Sequence, residues 1–228
     1  MRHVRARSRR SASLYVRSAL ALGLVLGAGA AATDASWTDQ ELASGTFKTA
    51  TFNTESSVDN GGSYTDHATT ATAGTLAFTA VAPTPTSATP GQALYPGATM
   101  NTSFAIRAKA GSIAGIVTSI TPSSIGSDAV LTSLQYRMYW DTAACNTAAT
   151  TTSFAPSASG AWLQQTAAAL STAPTVPAAG IPLAVPTAGS AGTPVFFCVQ
   201  LTVPTSANPP QNTAAGSTFT WTFATQNS

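Results

Sequence analysis

The chain has 228 residues, of which 8% are charged, against about a quarter in an ordinary globular protein. Alanine (45), threonine (37) and serine (25) make up nearly half of it. This excludes a coiled coil, which needs Glu and Lys beside its apolar seam, and argues against nucleic-acid binding, which needs many Lys and Arg to neutralise phosphates.

The chain opens with a basic stretch carrying Arg2, Arg5, Arg7, Arg9, Arg10 and Arg17, followed by an apolar run of small residues over 19–32. That order is the order of a secretory signal peptide, and the run is short for a membrane span of about 20 residues. A retained anchor and a twin-arginine route are the weaker alternatives. Cleavage is expected after Ala32 or after Ala35, and the division adopted is a signal peptide over 1–35 with Ser36 as the new N-terminus. Beyond residue 35 the basic residues are Lys48, Arg107, Lys109 and Arg137, and the acidic ones are Asp39, Glu41, Glu55, Asp59, Asp66, Asp128 and Asp141. The leader thus carries net +5 and the remainder net −3, which together give the formal +2. No basic binding surface follows from the overall charge.

Period-two alternation predicts strands over 46–54, 73–81, 99–108, 112–120, 133–141, 194–203 and 217–225, with short runs near 161–164 and 181–185. In the last of the long runs Phe219, Trp221 and Phe223 alternate with threonines. Turn signals such as Asp59-Asn60-Gly61-Gly62, Pro96-Gly97 and Asn208-Pro209-Pro210 separate the runs. The one helix-like window, residues 161–170, is short and alanine-rich. The expected class is all-β: a jelly-roll or Ig-like β-sandwich over 36–228, one domain, preceded by a signal-peptide helix. The aromatics, Trp162 included, are expected to serve as core.

Cys145 and Cys198 are the only cysteines. In an oxidising compartment two such residues pair, and a disulfide is expected. Catalysis is not expected. The mature part has one histidine, His67, and neither a Gly-x-Ser-x-Gly elbow nor a His-Glu-x-x-His motif. An Asp66–His67 pair beside some serine is imaginable in any chain this rich in serine. Asp59 and Asp66 could offer oxygen ligands to calcium, but a turn closed by Asn60 and Gly61 is the better reading. No cofactor, metal ligand or nucleic-acid partner is expected.

The junction Ala35-Ser36-Trp37-Thr38-Asp39-Gln40-Glu41-Leu42-Ala43-Ser44-Gly45-Thr46-Phe47, set directly behind the Gly/Ala-rich run, resembles that of the TasA/camelysin-type exported proteins. Leu94-Tyr95-Pro96-Gly97-Ala98-Thr99 is similar to the family's Pro-Gly turn before a strand. The cysteine pair, low charge and Ala/Thr/Pro-rich loops look like an actinobacterial branch and depart from the lysine-rich fibre-forming members. The resemblance implies an alternate-type signal peptide cut by a SipW-type signal peptidase between Ala35 and Ser36. It also implies a jelly-roll domain, secreted or deposited at the cell surface, with no membrane association after cleavage. In fibre-forming relatives the freed N-terminal segment adds a strand to a neighbouring subunit. Here that segment spans 36–54, with Trp37, Phe47 and Phe52 as the side chains that would fill pockets; without the resemblance, the same run reads as the first strand of its own sheet. The functional expectation is an extracellular-matrix or cell-surface structural protein that assembles with itself or with an accessory matrix protein. The alternative is a monomeric secreted adhesin or a glycan- or protein-binding module.

Overall fold

Apolar residues spaced two apart build two sheets whose inner faces meet. The computed structural model describes residues 51–82, 94–187, 189–209, 215 and 218–228. The expected leader, its cleavage site at Ala35 and Ser36, and Trp37 and Phe47 lie outside the described residues. The strands are β1 (Thr54–Ser57), β2 (Thr79–Ala82), β3 (Thr99–Ala108), β4 (Gly115–Pro122), β5 (Gln135–Asp141), β6 (Ala161–Ala169), β7 (Ile181–Leu183), β8 (Val195–Thr202) and β9 (Trp221–Asn227). The helical segments among the described residues are two single-turn 3-10 helices, Thr70–Thr72 and Leu131–Ser133.

Every pairing is antiparallel. The larger sheet has the order β1-β3-β8-β5-β6, with β2 also paired to β3. The ten residues of β3 take β1 along Ala105–Ala108 and β2 along Thr99–Asn101, end to end on one edge. The smaller sheet has the order β7-β4-β9. The fold is therefore an antiparallel β-sandwich.

The core between the sheets takes alternate residues from each strand, as the pleat requires. Met100 and Ile106 of β3, Tyr136 and Met138 of β5, and Val195, Phe197, Val199 and Leu201 of β8 face Val117 and Ile120 of β4 and Ile181 and Leu183 of β7. β9 joins through aromatics: the Phe223 ring lies 4.8 Å from both Phe104 and Phe197, and Trp221 lies 5.6 Å from Tyr136. Burial pushes the Tyr136 hydroxyl up to about 12, and that hydroxyl donates to the Thr172 carbonyl at 2.6 Å.

Strands β3, β5 and β8 fall where their alternation places them, and the Pro96-Gly97 turn leads directly into β3, closed by the Ala98 N–H on the Tyr95 carbonyl at 2.9 Å. The window 161–170 is not helical. Residues Ala161–Ala169 form a nine-residue strand whose register on β5 shifts twice. Pairing with β5 and burial of Leu163 outweigh the helix preference of its alanines. The expected 73–81 strand contracts to β2, and the 217–225 strand begins at Trp221.

Phe197 of β8 is fully buried and packs against the Phe223 ring of β9. Phe197→Ala should cost about 3–5 kcal/mol of stability, read as a lower denaturant midpoint with an unchanged m-value.

Candidate functional site

The middle of the larger sheet, β3, β8 and β5, is covered on both faces. On the side away from the smaller sheet, Ala105, Tyr139, Phe196 and Cys198 form a second cluster with Cys145, Ala149 and Phe154. The cover is the segment 142–160, which contains no strand. Cys145 and Cys198 form a disulfide across a separation of 53 residues, so the expected bridge ties this cover to the middle of β8. Trp162 closes the cluster, 5.5 Å from the Tyr139 ring and 5.9 Å from Phe154.

Polar groups fix the same cover. Asn60 donates through Nδ2 to the Cys145 carbonyl (3.1 Å) and accepts through Oδ1 from the Cys145 N–H (3.0 Å). It does so from a turn in which Asn60 and Gly61 both have positive φ, 57° and 90°, the combination that Asn-Gly tolerates best. Asn101 donates to the carbonyls of Thr147 (3.2 Å) and Ala149 (2.7 Å). Arg137 donates to the carbonyls of Gln165, Thr151 and Phe154, with its guanidinium 4.5 Å from the Trp162 ring centre. Burial lowers the pKa of that guanidinium from its ordinary value.

The titratable residues singled out in the sequence are locally committed. Ser56 Oγ lies 2.6 Å from His67 Nδ1, and Thr65 Oγ1 lies 3.0 Å from Nε2. Asp66, the carboxylate that would orient the histidine in a triad, is paired with Lys109. Asp59 accepts from the Ser57 hydroxyl and from the N–H and hydroxyl of Ser63, which together hold its carboxyl well below the usual range. Asp141 is buried, which raises its pKa, but the N–H groups of Ala143 and Ser157 and the hydroxyls of Ser157 and Ser159 outweigh that and lower it. Among the described residues no group of three or more His, Cys, Asp or Glu could hold a metal ion.

Of the expected assembly side chains, Phe52 alone is described. It packs on the core, its ring against Gly115, where a Cβ would collide with it. Residues 51–53 are bonded to the β3–β4 connection: Lys109 N–H donates to the Asn53 carbonyl (3.0 Å) and Ile113 N–H to the Thr51 carbonyl (3.2 Å). β1 follows at once. The C-terminal end of the 36–54 run therefore belongs to its own sandwich.

The sheet edges differ in kind. β1 is bridged by Thr65, which exchanges two 2.9 Å bonds with Ser56. Beside β1, Arg107 pairs with Glu55 at 2.7 Å and lies 3.6 Å above the Tyr64 ring. β6 gives its Leu163 carbonyl to the Thr175 N–H (2.9 Å). β7 has three residues, one of them Pro182. β9 has seven residues, neither charged nor proline, and among the described residues it pairs with β4 alone. At one end the Ser123 N–H donates to the Thr220 carbonyl (2.8 Å), and at the other the Ser228 N–H donates to the Ala114 carbonyl (3.4 Å). Backbone direction alternates along an antiparallel strand, so the even-numbered residues face β4. The N–H and C=O groups of Trp221, Phe223, Thr225 and Asn227 point to the open side. Pro122 sits opposite Trp221, where no N–H toward β9 is needed.

No protein-family model matches this chain, and no curated protein matches it in sequence. No helix among the described residues is long and apolar enough to cross a membrane. The disulfide is compatible with an oxidising, extracytoplasmic location.

Asn60→Ala should cost about 1–3 kcal/mol through the two lost bonds to Cys145. Asn60→Gly should cost about 1 kcal/mol less than Asn60→Ala, because glycine keeps the positive φ; equal losses in thermal unfolding would assign the whole effect to the bonds. Asp59 and Asp141 both titrate lower folded than unfolded. The stability they contribute is complete above the unfolded-state value of about 3.9 and is lost as pH falls through their lower folded values. Urea midpoints should therefore fall steeply below about pH 4, and less steeply in Asp141→Asn.

Proposed function

We propose that the chain is an exported structural subunit of the cell surface or extracellular matrix, which associates with copies of itself through strand edges. The observation that carries this reading is the distribution of charge over the sandwich. Residues 142–228 contain no Asp, Glu, Lys or Arg, and they supply β6, β7, β8 and β9. Charged edge residues are a common protection against edge-to-edge pairing, and β9 has none. A leader-like sequence ahead of an oxidised all-β unit supports export, with a SipW-type signal peptidase as the processing partner that the junction resemblance implies.

In this reading the N-terminal segment contributes a strand to a neighbour. Residues 51–57 are bonded within their own sandwich, so the reading is confined to 36–50, with Trp37 and Phe47 as the large side chains it invokes.

Sedimentation and electron microscopy of oxidised protein beginning at Ser36 test the proposal. Filaments or large assemblies are expected, and deleting residues 36–46 should abolish them while leaving the unfolding transition in place. A sharp monomer at all concentrations would overturn self-association and leave a monomeric binding module. A truncated protein that still polymerises would remove the N-terminal segment from the assembly.

A further inference from the structure

We propose that β9 pairs with β9 of a second copy of this chain, antiparallel about a two-fold axis through Ala224. This names the surface and the partner for the self-association reading above, on which it rests, but it does not depend on the N-terminal segment.

Three observations converge on this edge and this occupant. First, among the described residues β9 is the edge strand with an uninterrupted open side: β6 is longer but its register shifts twice, and β2 has four residues and a register shift of its own. β1 is bridged by Thr65, the β6 edge is met by Thr175, and β7 is three residues long with a proline.

Second, the register is self-complementary. The outward-facing residues are Trp221, Phe223, Thr225 and Asn227. A two-fold axis through Ala224 sets Trp221 opposite the partner's Asn227 and Phe223 opposite the partner's Thr225. Every outward N–H and C=O of the strand then finds a counterpart of the right direction. The bulge lies at the β4 register between Val117 and Ser119, so β9 itself keeps an unbroken alternation.

Third, charge sets no obstacle. Antiparallel pairing about this axis sets residue 224 opposite its own symmetry mate and brings its neighbours close by, so a charge at the axis would meet a like charge. The sequence WTFATQN has none. Thr222 would meet the partner's Gln226 on the exposed face, and Phe223 would extend the aromatic row with Phe104 and Phe197 beneath it. The product is a continuous sheet β7-β4-β9-β9-β4-β7. A single strand edge covers less surface than the roughly 800 Å² per partner of a standard interface, so the dimer is concentration-dependent.

Ala224 is exposed, so the single-chain fold tolerates substitution there, and it lies on the axis. The test uses oxidised full-length chain and the form beginning at Ser36. Ala224→Lys should weaken dimerisation about fivefold in sedimentation equilibrium, by placing two ammonium groups opposite each other, and added salt should restore part of the loss. Ala224→Cys should cross-link to a covalent dimer under a mild oxidant, whereas Thr121→Cys, exposed on the neighbouring β4, should not. Unchanged association in Ala224→Lys, or no cross-link in Ala224→Cys at concentrations where the wild-type chain is dimeric, would overturn the pairing. If association is instead lost only on deleting residues 36–46, the self-association reading stands and β9 is not joined to its own copy. A wild-type chain that is monomeric throughout would overturn both.

Discussion

The structure depends on β8 being apolar on both of its faces. Val195, Phe197, Val199 and Leu201 look toward the smaller sheet, while Phe196, Cys198 and Gln200 look the other way, and all of them are buried. A strand of this kind needs cover on each side. A two-sheet sandwich supplies cover on one side only, so the outer face of β8 must be closed by something else. The segment 142–160 does this without forming a strand. Its hold is composite: one covalent bond to β8 itself, two hydrogen bonds from Asn60, two from Asn101, and the guanidinium of Arg137 against its carbonyls. Closing a loop of 53 residues by a disulfide stabilises by about 4 kcal/mol in the chain-entropy account. That amount is comparable to what a segment with few large apolar side chains would otherwise lack.

This arrangement separates the chemistry of the two ends of the sandwich. The β1–β3 region carries Glu55, Arg107, Asp66 and Lys109 in two ion pairs, with Arg107 also stacked over Tyr64. These residues interrupt the edge with charge and long side chains. The β4–β9 region carries none. The charged β1 edge belongs to the larger sheet and the uncharged β9 edge to the smaller one, so protection against edge-to-edge pairing is uneven over the sandwich.

Much of the architecture was legible in the sequence because β3, β5 and β8 alternate cleanly, and a strand buried on one or both faces leaves that imprint. The disulfide was legible because two cysteines admit one pairing. Of β6 only the short run near 161–164 was, since Ala167–Ala169 carry little side-chain information and favour a helix in isolation; the rest of the strand is decided by β5. The Asn60 clamp on Cys145 joins residues 85 positions apart through a side chain that local rules assign to a turn. That assignment is correct, but nothing in the turn signal points to the partner. Phe52 falls in the run that the resemblance lends to a neighbour, yet Gly115 leaves a gap that its ring fills, and a missing side chain so far along the chain announces no such pairing. The open side of β9 was likewise beyond reach, because alternation says that a residue is in a strand and says nothing of how many neighbours the strand has.

The topology also sets when that open side becomes available. β9 pairs with β4 across about a hundred residues, from Gly115 with Asn227 to Pro122 with Trp221, and β3 pairs with β8 over a similar span. Closures of this length cost entropy before they return any contact. The central sheet can be completed once β8 has joined β3 and β5, and the smaller sheet only when the last strand has arrived. Until then Phe104 and Phe197 lack the ring of Phe223 that covers them. In the proposed dimer the pairing edge is complete only once this last strand has docked on β4.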